Sequence, residues 1–338
     1  MSVFGTASVS VIIVNWNGGA LLSRCLSCVA AQQVLPERIV VIDNGSTDGS
    51  IAAARQMAEE DGRLAARILF DLAGENLGFA AANNRGVALC DTDSIALLNS
   101  DAFPEPGWLA ALLDSAHEHP AVAAFGSRQV MDGSPGLLDG VGDVYHVSGL
   151  SWREGHGCRP TAADEEDREI FSPCAAAALY RRDAFIEVGG FDEDFFCYFE
   201  DVDLGFRLRL AGHQARYVSK AIVAHVGSAS SPGKRSDFAV FHGHRNLVWC
   251  YVKNMPGPIL YPCLIAHLLQ TIVISAFFVT RGQALTIVKS KWQAVTRLPT
   301  FWRKRRLVQA SKRISAWAVW RVLDKSIFRR QSRSGGAL

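Results

Sequence analysis

The chain predicts an α/β fold with a mostly parallel, doubly wound sheet, and three observations carry the prediction. Short apolar runs rich in β-branched residues alternate with amphipathic helical stretches across residues 8–101. Each run ends in a polar turn rich in Asn, Asp and Gly. Long helical patterns replace the alternation from residue 236 onward.

Residues 8–14, Ser-Val-Ser-Val-Ile-Ile-Val, form the continuous apolar run that a strand buried on both faces needs. Asn15-Trp-Asn-Gly-Gly19 breaks it, and residues 21–31 read as an amphipathic helix. A strand is predicted at 38–42, a helix at 51–60, a short strand at 66–70, a helix at 78–88 and a buried strand at 94–98. Residues 125–170 carry Gly-rich turns and the acidic run Asp164-Glu-Glu-Asp167, and read as an irregular surface loop. A strand at 175–181, a short helix at 182–188, a helix at 201–211 and two strands at 214–219 and 222–226 complete the α/β part. The predicted division is 1–235 for this part and 236–338 for a helical region.

At 338 residues the chain is long enough to bury a substantial core. A net charge of +2 is too small to point to nucleic acid, although residues 281–335 are basic with Asp324 as their one carboxylate. Of the eight cysteines, Cys25 and Cys28 form a CxxC. Neither a second such pair nor a nearby His completes a zinc site, so packing is the expected role. No basic stretch followed by an apolar signal core opens the sequence, consistent with a cytosolic chain.

Chemistry concentrates in Phe195-Phe-Cys-Tyr-Phe-Glu-Asp-Val-Asp203. Glu200, Asp201 and Asp203 crowd into an apolar and aromatic run, where burial and mutual repulsion raise the pKa of at least one. Such crowding suits a general base held beside a cation, although an exposed acidic first turn of a helix has the same composition.

Four polar strand ends accompany it. They are Asn15-Trp-Asn-Gly18, Asp43-Asn-Gly-Ser-Thr-Asp48, Asn76-Leu-Gly-Phe79 with Asn83 and Asn84, and Asn99-Ser-Asp101. A carboxylate in the second suits the imide N–H of a uracil or thymine ring, and one in the fourth suits Mg²⁺ or Mn²⁺ bridging a diphosphate. Taken singly, each is also what a strand-to-helix turn uses for capping. Together they gather at the carboxyl ends of strands, where α/β sheets bind ligands.

These segments resemble the family-2 glycosyltransferases, most of all the rhamnosyltransferase-like branch that builds bacterial surface polysaccharides. The resemblance runs through Val9-Ser-Val-Ile-Ile-Val-Asn-Trp-Asn17, Val41-Ile-Asp-Asn-Gly-Ser-Thr-Asp-Gly49, Asn76-Leu-Gly-Phe79 and Leu97-Leu-Asn-Ser-Asp101. It continues in Gly189-Gly-Phe-Asp192, Tyr198-Phe-Glu-Asp-Val-Asp-Leu204 and His225-Val-Gly227, and covers roughly residues 8–255. It implies a GT-A nucleotide-binding domain, with Asp43 recognising the base and Asn15, Asn76, Asn83, Asn99, Ser100 and Asp101 on the donor. Asn99-Ser-Asp101 stands where the family carries Asp-x-Asp, so Asp101 becomes the main carboxylate ligand of Mg²⁺ or Mn²⁺. His225 matches a position that completes the metal shell in some members; a structural hydrogen-bonding role is its alternative. Asp201 matches the general base, with Glu200 and Asp203 tuning or orienting it.

Arg245 and Asn246 resemble the Arg-Asn segment that follows the catalytic domain in this branch. Read as opening an aromatic helix, this segment lets His242, His244 and Arg245 reach a diphosphate; a helix start docked on the α/β part is the alternative. Residues 259–279 are mostly apolar and long enough to span a bilayer, but Pro262, His267, Gln270 and Thr271 interrupt them. A single span from a cytosolic enzyme exports Arg303-Lys-Arg-Arg306 against the positive-inside tendency. Attachment at the membrane surface, with Trp292, Trp302, Trp317 and Trp320 at the interface, is therefore favoured over a dimerisation or core helix and over a span.

The expected activity is inverting, metal-dependent transfer of a sugar from a nucleotide-diphosphate donor to a glycan or polyprenyl-diphosphate-linked acceptor. Rhamnose from dTDP-rhamnose is favoured on the branch resemblance. The expected setting is the cytoplasmic face of the membrane, as a monomer or homo-oligomer. A sugar-nucleotide nucleotidyltransferase needs a basic phosphate loop after the first strand, and Asn15-Trp-Asn-Gly-Gly19 has no basic residue. A non-catalytic membrane-bound scaffold is favoured only by Asn99, against the intact Asp101, Glu200 and Asp201.

Overall fold

The structure is a computed structural model that describes residues 8–134, 136–227 and 236–326. The predicted boundary at 235 and the end of the basic stretch, 327–335, lie outside the described residues.

The first half is strand β1 (Val9–Asn15), helix α1 (Ala20–Ala30), β2 (Arg38–Asp43), α2 (Ser50–Glu60), the single turn α3 (Gly62–Ala65), β3 (Ile68–Leu72), α4 (Gly78–Ala88) and β4 (Ser94–Asn99). Strands β4, β1, β2 and β3 are neighbours in that order and all parallel. The apolar run in β1 has two faces to fill. Val9, Val11 and Ile13 join a core with Leu22, Cys25 and Leu26 of α1, while Ile12 packs with Ala80 and Ala82 of α4 on the other side. Full burial of each such aliphatic side chain stabilises by roughly 1.5–3 kcal/mol. Cys25 is one of these packed residues, and all eight cysteines are free. In register, Asn15 stands beside Asp43 and Val14 beside Asn99, so the polar strand ends share one edge.

Strand β5 (Ala102–Pro104), helix α5 (Trp108–Glu118) and the ten-residue β6 (Val122–Met131) follow. Residues 125–170 are not the irregular surface loop that their composition suggests. They contain most of β6 and the short strands β7 (Leu138–Gly140), β8 (Asp143–Tyr145), β9 (Ser151–Arg153) and β10 (Arg168–Ile170). Three-residue strands carry no readable periodicity, and their stability comes from distant partners: β7 pairs with β6, β10 with β12, and β8 with β9. Strand β11 (Ala177–Arg181) runs antiparallel between β4 and β6 and is followed by α6 (Arg182–Glu187) and α7 (Glu200–Leu210). The two strands predicted for 214–226 are one, β12 (Gln214–His225), with a register shift between Val218 and Ile222. The main path across the sheet is β10-β12-β6-β11-β4-β1-β2-β3.

Among the described residues five helices follow: α8 (Asp237–Asn254), α9 (Gly257–Val279), α10 (Ala284–Thr296), α11 (Leu298–Ala310) and α12 (Ala316–Val322). Helix α8 opens at Asp237, capped by the Ser236 hydroxyl on the Ala239 N–H, so Arg245 lies in its middle and not at a helix start. The helices share a core with the α/β part: Trp249 stacks on Phe301 at 4.3 Å, against Phe195 and near Val202 and Phe206 of the α7 region. Helix α9 differs. It is 23 residues long and apolar enough to cross a membrane by length and composition, yet only 6% of its most apolar window is buried. Ile265, Ile272 and Val273 on it are all more than 60% exposed.

Candidate active site

A cavity of about 670 Å³ opens at the carboxyl edge of β1 and β4, roofed by the segment that leads into α7. Asn76, Asn99, Ser100, Asp101, Glu200, Asp201 and His225, all singled out from sequence, line it. Asn15, Asp43, Asn83 and Arg245 do not. Asn15 and Asp43 form the layer behind, where the Asn15 amide donates to Ser46 Oγ at 3.0 Å and Ser50 Oγ at 2.9 Å. Asp43 accepts from the Ser46 N–H at 3.3 Å and from Asn15 at 3.4 Å. The Asn83 amide returns to the Phe79 carbonyl of its own helix at 2.9 Å. Asn44 faces the cavity instead, fixed by Asn76 Oδ1 and by the Leu77 N–H.

On one wall Asp101 and His225 meet, both nearly inaccessible, with Asp101 Oδ1 3.3 Å from His225 Nε2. Asn99 Nδ2 lies 3.5 Å from the same nitrogen. The other ring nitrogen, Nδ1, is 2.8 Å from Asp139 Oδ2. Burial disfavours the charged imidazole, but the bonds to Asp101 and Asp139 outweigh it and raise the His225 pKa. For Asp139 the balance has the opposite direction: burial disfavours its charge, and Arg153, His156 and His225 overcome this to hold it far below the usual carboxylate range.

The other wall is the segment 195–203, and its backbone is strained. Phe196, Tyr198 and Phe199 have φ of 63°, 67° and 69°, a region that costs a non-glycine residue about 1–3 kcal/mol. Phe196 is the corner of a tight turn, with the Cys197 N–H on the Phe195 carbonyl at 2.7 Å. Surrounding groups hold this conformation. The Asn246 amide reaches the carbonyls of Phe195, Cys197 and Tyr198 at 2.9, 2.9 and 2.7 Å. Arg245 Nη2 donates to the Phe195 carbonyl at 2.8 Å, while Nη1 donates to Gln293 at 2.7 Å. From α4, the Phe79 N–H donates to the Phe196 carbonyl at 2.7 Å. Arg245 is thus bound to the loop, and His242 stacks on Phe196 at 5.3 Å; neither is placed for the diphosphate contact expected from sequence.

The strained turn delivers three acids into the first turn of α7, where the helix dipole favours negative charge. Each Asp201 oxygen accepts a backbone N–H, Oδ1 from Val202 at 2.8 Å and Oδ2 from Ala175 at 3.3 Å, which aims the carboxylate at the cavity. Burial raises its pKa, with the Arg153 charge opposing. Burial, reinforced by Asp201, pushes Glu200 well above the usual range, and Glu200 Oε2 has no hydrogen-bond partner among the described residues. Asp203 points away from the cavity. Fully buried, it accepts from Arg207 Nε at 2.8 Å, Lys253 Nζ at 2.9 Å and Asn254 Nδ2 at 2.7 Å, pinning α7 to α8.

The hairpin β8–β9 supplies residues that the sequence reading missed. Asp143 and Arg153 are cross-strand partners, and with Ser151 and Trp152 they line the cavity beside Asp201. Burial and the Asp201 charge raise Asp143 well above the usual carboxylate range. Among the described residues Arg153 is the one Lys or Arg in the lining, beside four carboxylates: Asp101, Asp143, Glu200 and Asp201. The only local signals at these positions were glycines beside aspartates, which read as turns.

The glycosyl transferase family 2 model matches residues 10–189, more than half of the chain. An N-acetylglucosaminyl-diphospho-decaprenol L-rhamnosyltransferase of Mycobacterium tuberculosis is 33% identical over 243 residues, covering 65% of this chain and 76% of that protein. The O-antigen chain rhamnosyltransferase RfbN of Salmonella typhimurium is 25% identical over 220 residues, covering 64% and 66%. Among solved structures, the mannosyltransferase PcManGT from Pyrobaculum calidifontis, in complex with GDP-Man and Mn²⁺, aligns over 90% of this chain and 85% of its own at a TM-score of 0.54 and 18% identity, a likeness of fold. The α/β part is therefore a GT-A fold, and the chain belongs to glycosyl transferase family 2 and is a glycosyltransferase.

Proposed function

We propose that this glycosyltransferase moves a sugar from a nucleotide-diphosphate donor onto a polyprenyl-diphosphate-linked acceptor at the cytoplasmic face of the membrane, with inversion. Rhamnose from dTDP-rhamnose is the favoured donor, supported by the two rhamnosyltransferase relatives. The observation that carries the reading is one cavity holding an aimed carboxylate, Asp201, together with the Asp101–His225 pair.

The pair fits a divalent cation. One carboxylate oxygen and one imidazole nitrogen suit Mn²⁺, and the diphosphate of the donor is the natural source of the remaining ligands. The charge of the lining argues the same way. Among the described lining residues Asp101 and Asp201 face the one guanidinium of Arg153, and a cation held by Asp101 and His225 would offset their charge against an anionic donor. When bound, the cation supplies charge for the departing nucleoside diphosphate. The residues do the rest. Asp201 takes the proton from the acceptor hydroxyl, the Ala175 and Val202 N–H groups hold it in line, and the Arg153 charge opposes the effect of burial on its carboxylate. No protein nucleophile is required, and sugar configuration inverts in a single displacement.

The exposed apolar face of α9, followed in the sequence by the exposed Arg281, Lys289, Arg303 and Arg306, supports attachment to an anionic membrane surface. Full-length protein in membrane fractions is expected to resist a high-salt wash and to leave with alkaline carbonate; resistance to carbonate would contradict surface attachment. For the donor, a panel of nucleoside diphosphates with Mn²⁺ is measured by thermal unfolding. A bound nucleotide at 100 times its Kd stabilises by about 2.7 kcal/mol. Silence across the whole panel would overturn the donor reading.

A further inference from the structure

Behind the cavity lies a buried carboxylate that no reading of the sequence singled out. Asp139, in the short strand β7, is 3% exposed and outside the cavity lining, yet two lining residues converge on it. His225 Nδ1 is 2.8 Å from its Oδ2, Arg153 Nη1 donates to the same oxygen, and His156 Nδ1 lies 3.1 Å from its Oδ1. An isolated carboxylate at this depth costs several kcal/mol, so three nitrogen donors around one buried anion mark a site that the fold builds deliberately.

The backbone makes room for it. A Cβ on Gly140, the next residue, would lie 2.2 Å from Arg153 Cγ, so the arginine stem crosses the strand where only a glycine leaves space. The strand itself is fixed from both sides. Gly140 pairs in register with Gln129 of β6, and Leu138 exchanges backbone bonds with Gly157 and Cys158 at 2.9 and 2.8 Å.

We propose that Asp139 is a positioning residue for His225. By accepting from Nδ1 it fixes the imidazole ring plane and keeps a proton on that nitrogen, so that Nε2, which faces Asp101, would present its lone pair to a bound cation. Carboxylates behind ligating histidines act in this way in many metal sites, where their loss weakens binding 10- to 100-fold. Arg153 and His156 hold Asp139 in turn, and Arg153 reaches the Asp201 side of the cavity, so one buried anion braces both walls. The inference rests on the cation reading above.

The test is Mn²⁺ binding by the full-length protein in the presence of dTDP, followed by electron paramagnetic resonance as loss of the free-ion signal. Asp139→Ala is expected to weaken Mn²⁺ 10- to 100-fold. Asp139→Asn keeps an amide oxygen that still accepts from Nδ1, preserves side-chain volume, and is expected to fall between Asp139→Ala and wild type. That graded order separates positioning from a general loss of fold. Both variants binding Mn²⁺ within twofold of the wild type would overturn the role of Asp139 and leave the cation reading standing. A wild type that binds no Mn²⁺ under these conditions would overturn both.

Discussion

Replacing Asn246 by Ala removes the one side chain that ties α8 to three carbonyls of the strained turn. The amide has two N–H groups for the Phe195, Cys197 and Tyr198 carbonyls, so its loss removes about two full hydrogen bonds, each contributing about 1 kcal/mol. Carbonyls left buried without a donor add about 1–3 kcal/mol each, reduced where water enters. Three φ-positive aromatic positions then lose a main restraint, and relaxation returns part of their stored strain. The net expectation is a stability loss of about 2–4 kcal/mol by urea unfolding. The kinetic effect is the more specific one. The turn leads directly into Glu200 and Asp201, so its relaxation moves the proposed base, whereas Asn99, Asp101 and His225 stand on other elements. kcat is expected to fall 10- to 100-fold, about 1.4–2.7 kcal/mol of barrier, with the donor Kd within twofold of wild type. A variant that loses the stability but keeps kcat within threefold would refute the claim that the clamp serves the base.

Three further outcomes follow from the same geometry. Gly78→Ala forces a Cβ to within 2.5 Å of the Phe196 ring and 2.7 Å of its carbonyl at φ +83°, and is expected to lower both the melting temperature and kcat; an unchanged melt would contradict the packing described. The acidic limb of kcat/KM against pH should lie above the ordinary carboxylate range, because burial raises Asp201 and activity needs it ionised. Arg153 favours the ionised form, so Arg153→Met should move that limb to higher pH, and a shift to lower pH would show the base to be another group.

The parts of the fold legible in the sequence were those whose signal is local. The β1 run is apolar on both faces because helices cover both, and the polar turns fall at strand ends because the sheet edge there is open to ligand. The parts that were not legible depend on distant pairing. Strands β7, β8 and β9 are three residues each, and Asp139, Asp143 and Arg153 gain meaning only when β6 and the hairpin bring them to the cavity. Arg245 shows the reverse error: an arginine in a basic, aromatic segment suggests phosphate, but its guanidinium is bound to the carbonyls of a turn fifty residues earlier in sequence. Asp203, close to Asp201 in sequence, separates from it because positions two apart on a helix do not face the same way.

The most direct test compares sugar transfer by wild type and Asp201→Asn, using dTDP-rhamnose, Mn²⁺ and a polyprenyl-diphosphate-linked acceptor, with donor Kd measured on both proteins. Asn keeps the shape of the side chain and removes its basicity. Turnover is expected to fall 10²- to 10⁴-fold, the usual contribution of a general base, with donor Kd within twofold. A variant that kept more than about a tenth of wild-type turnover, at most ~1.4 kcal/mol of barrier, would contradict the assignment of Asp201 as the base.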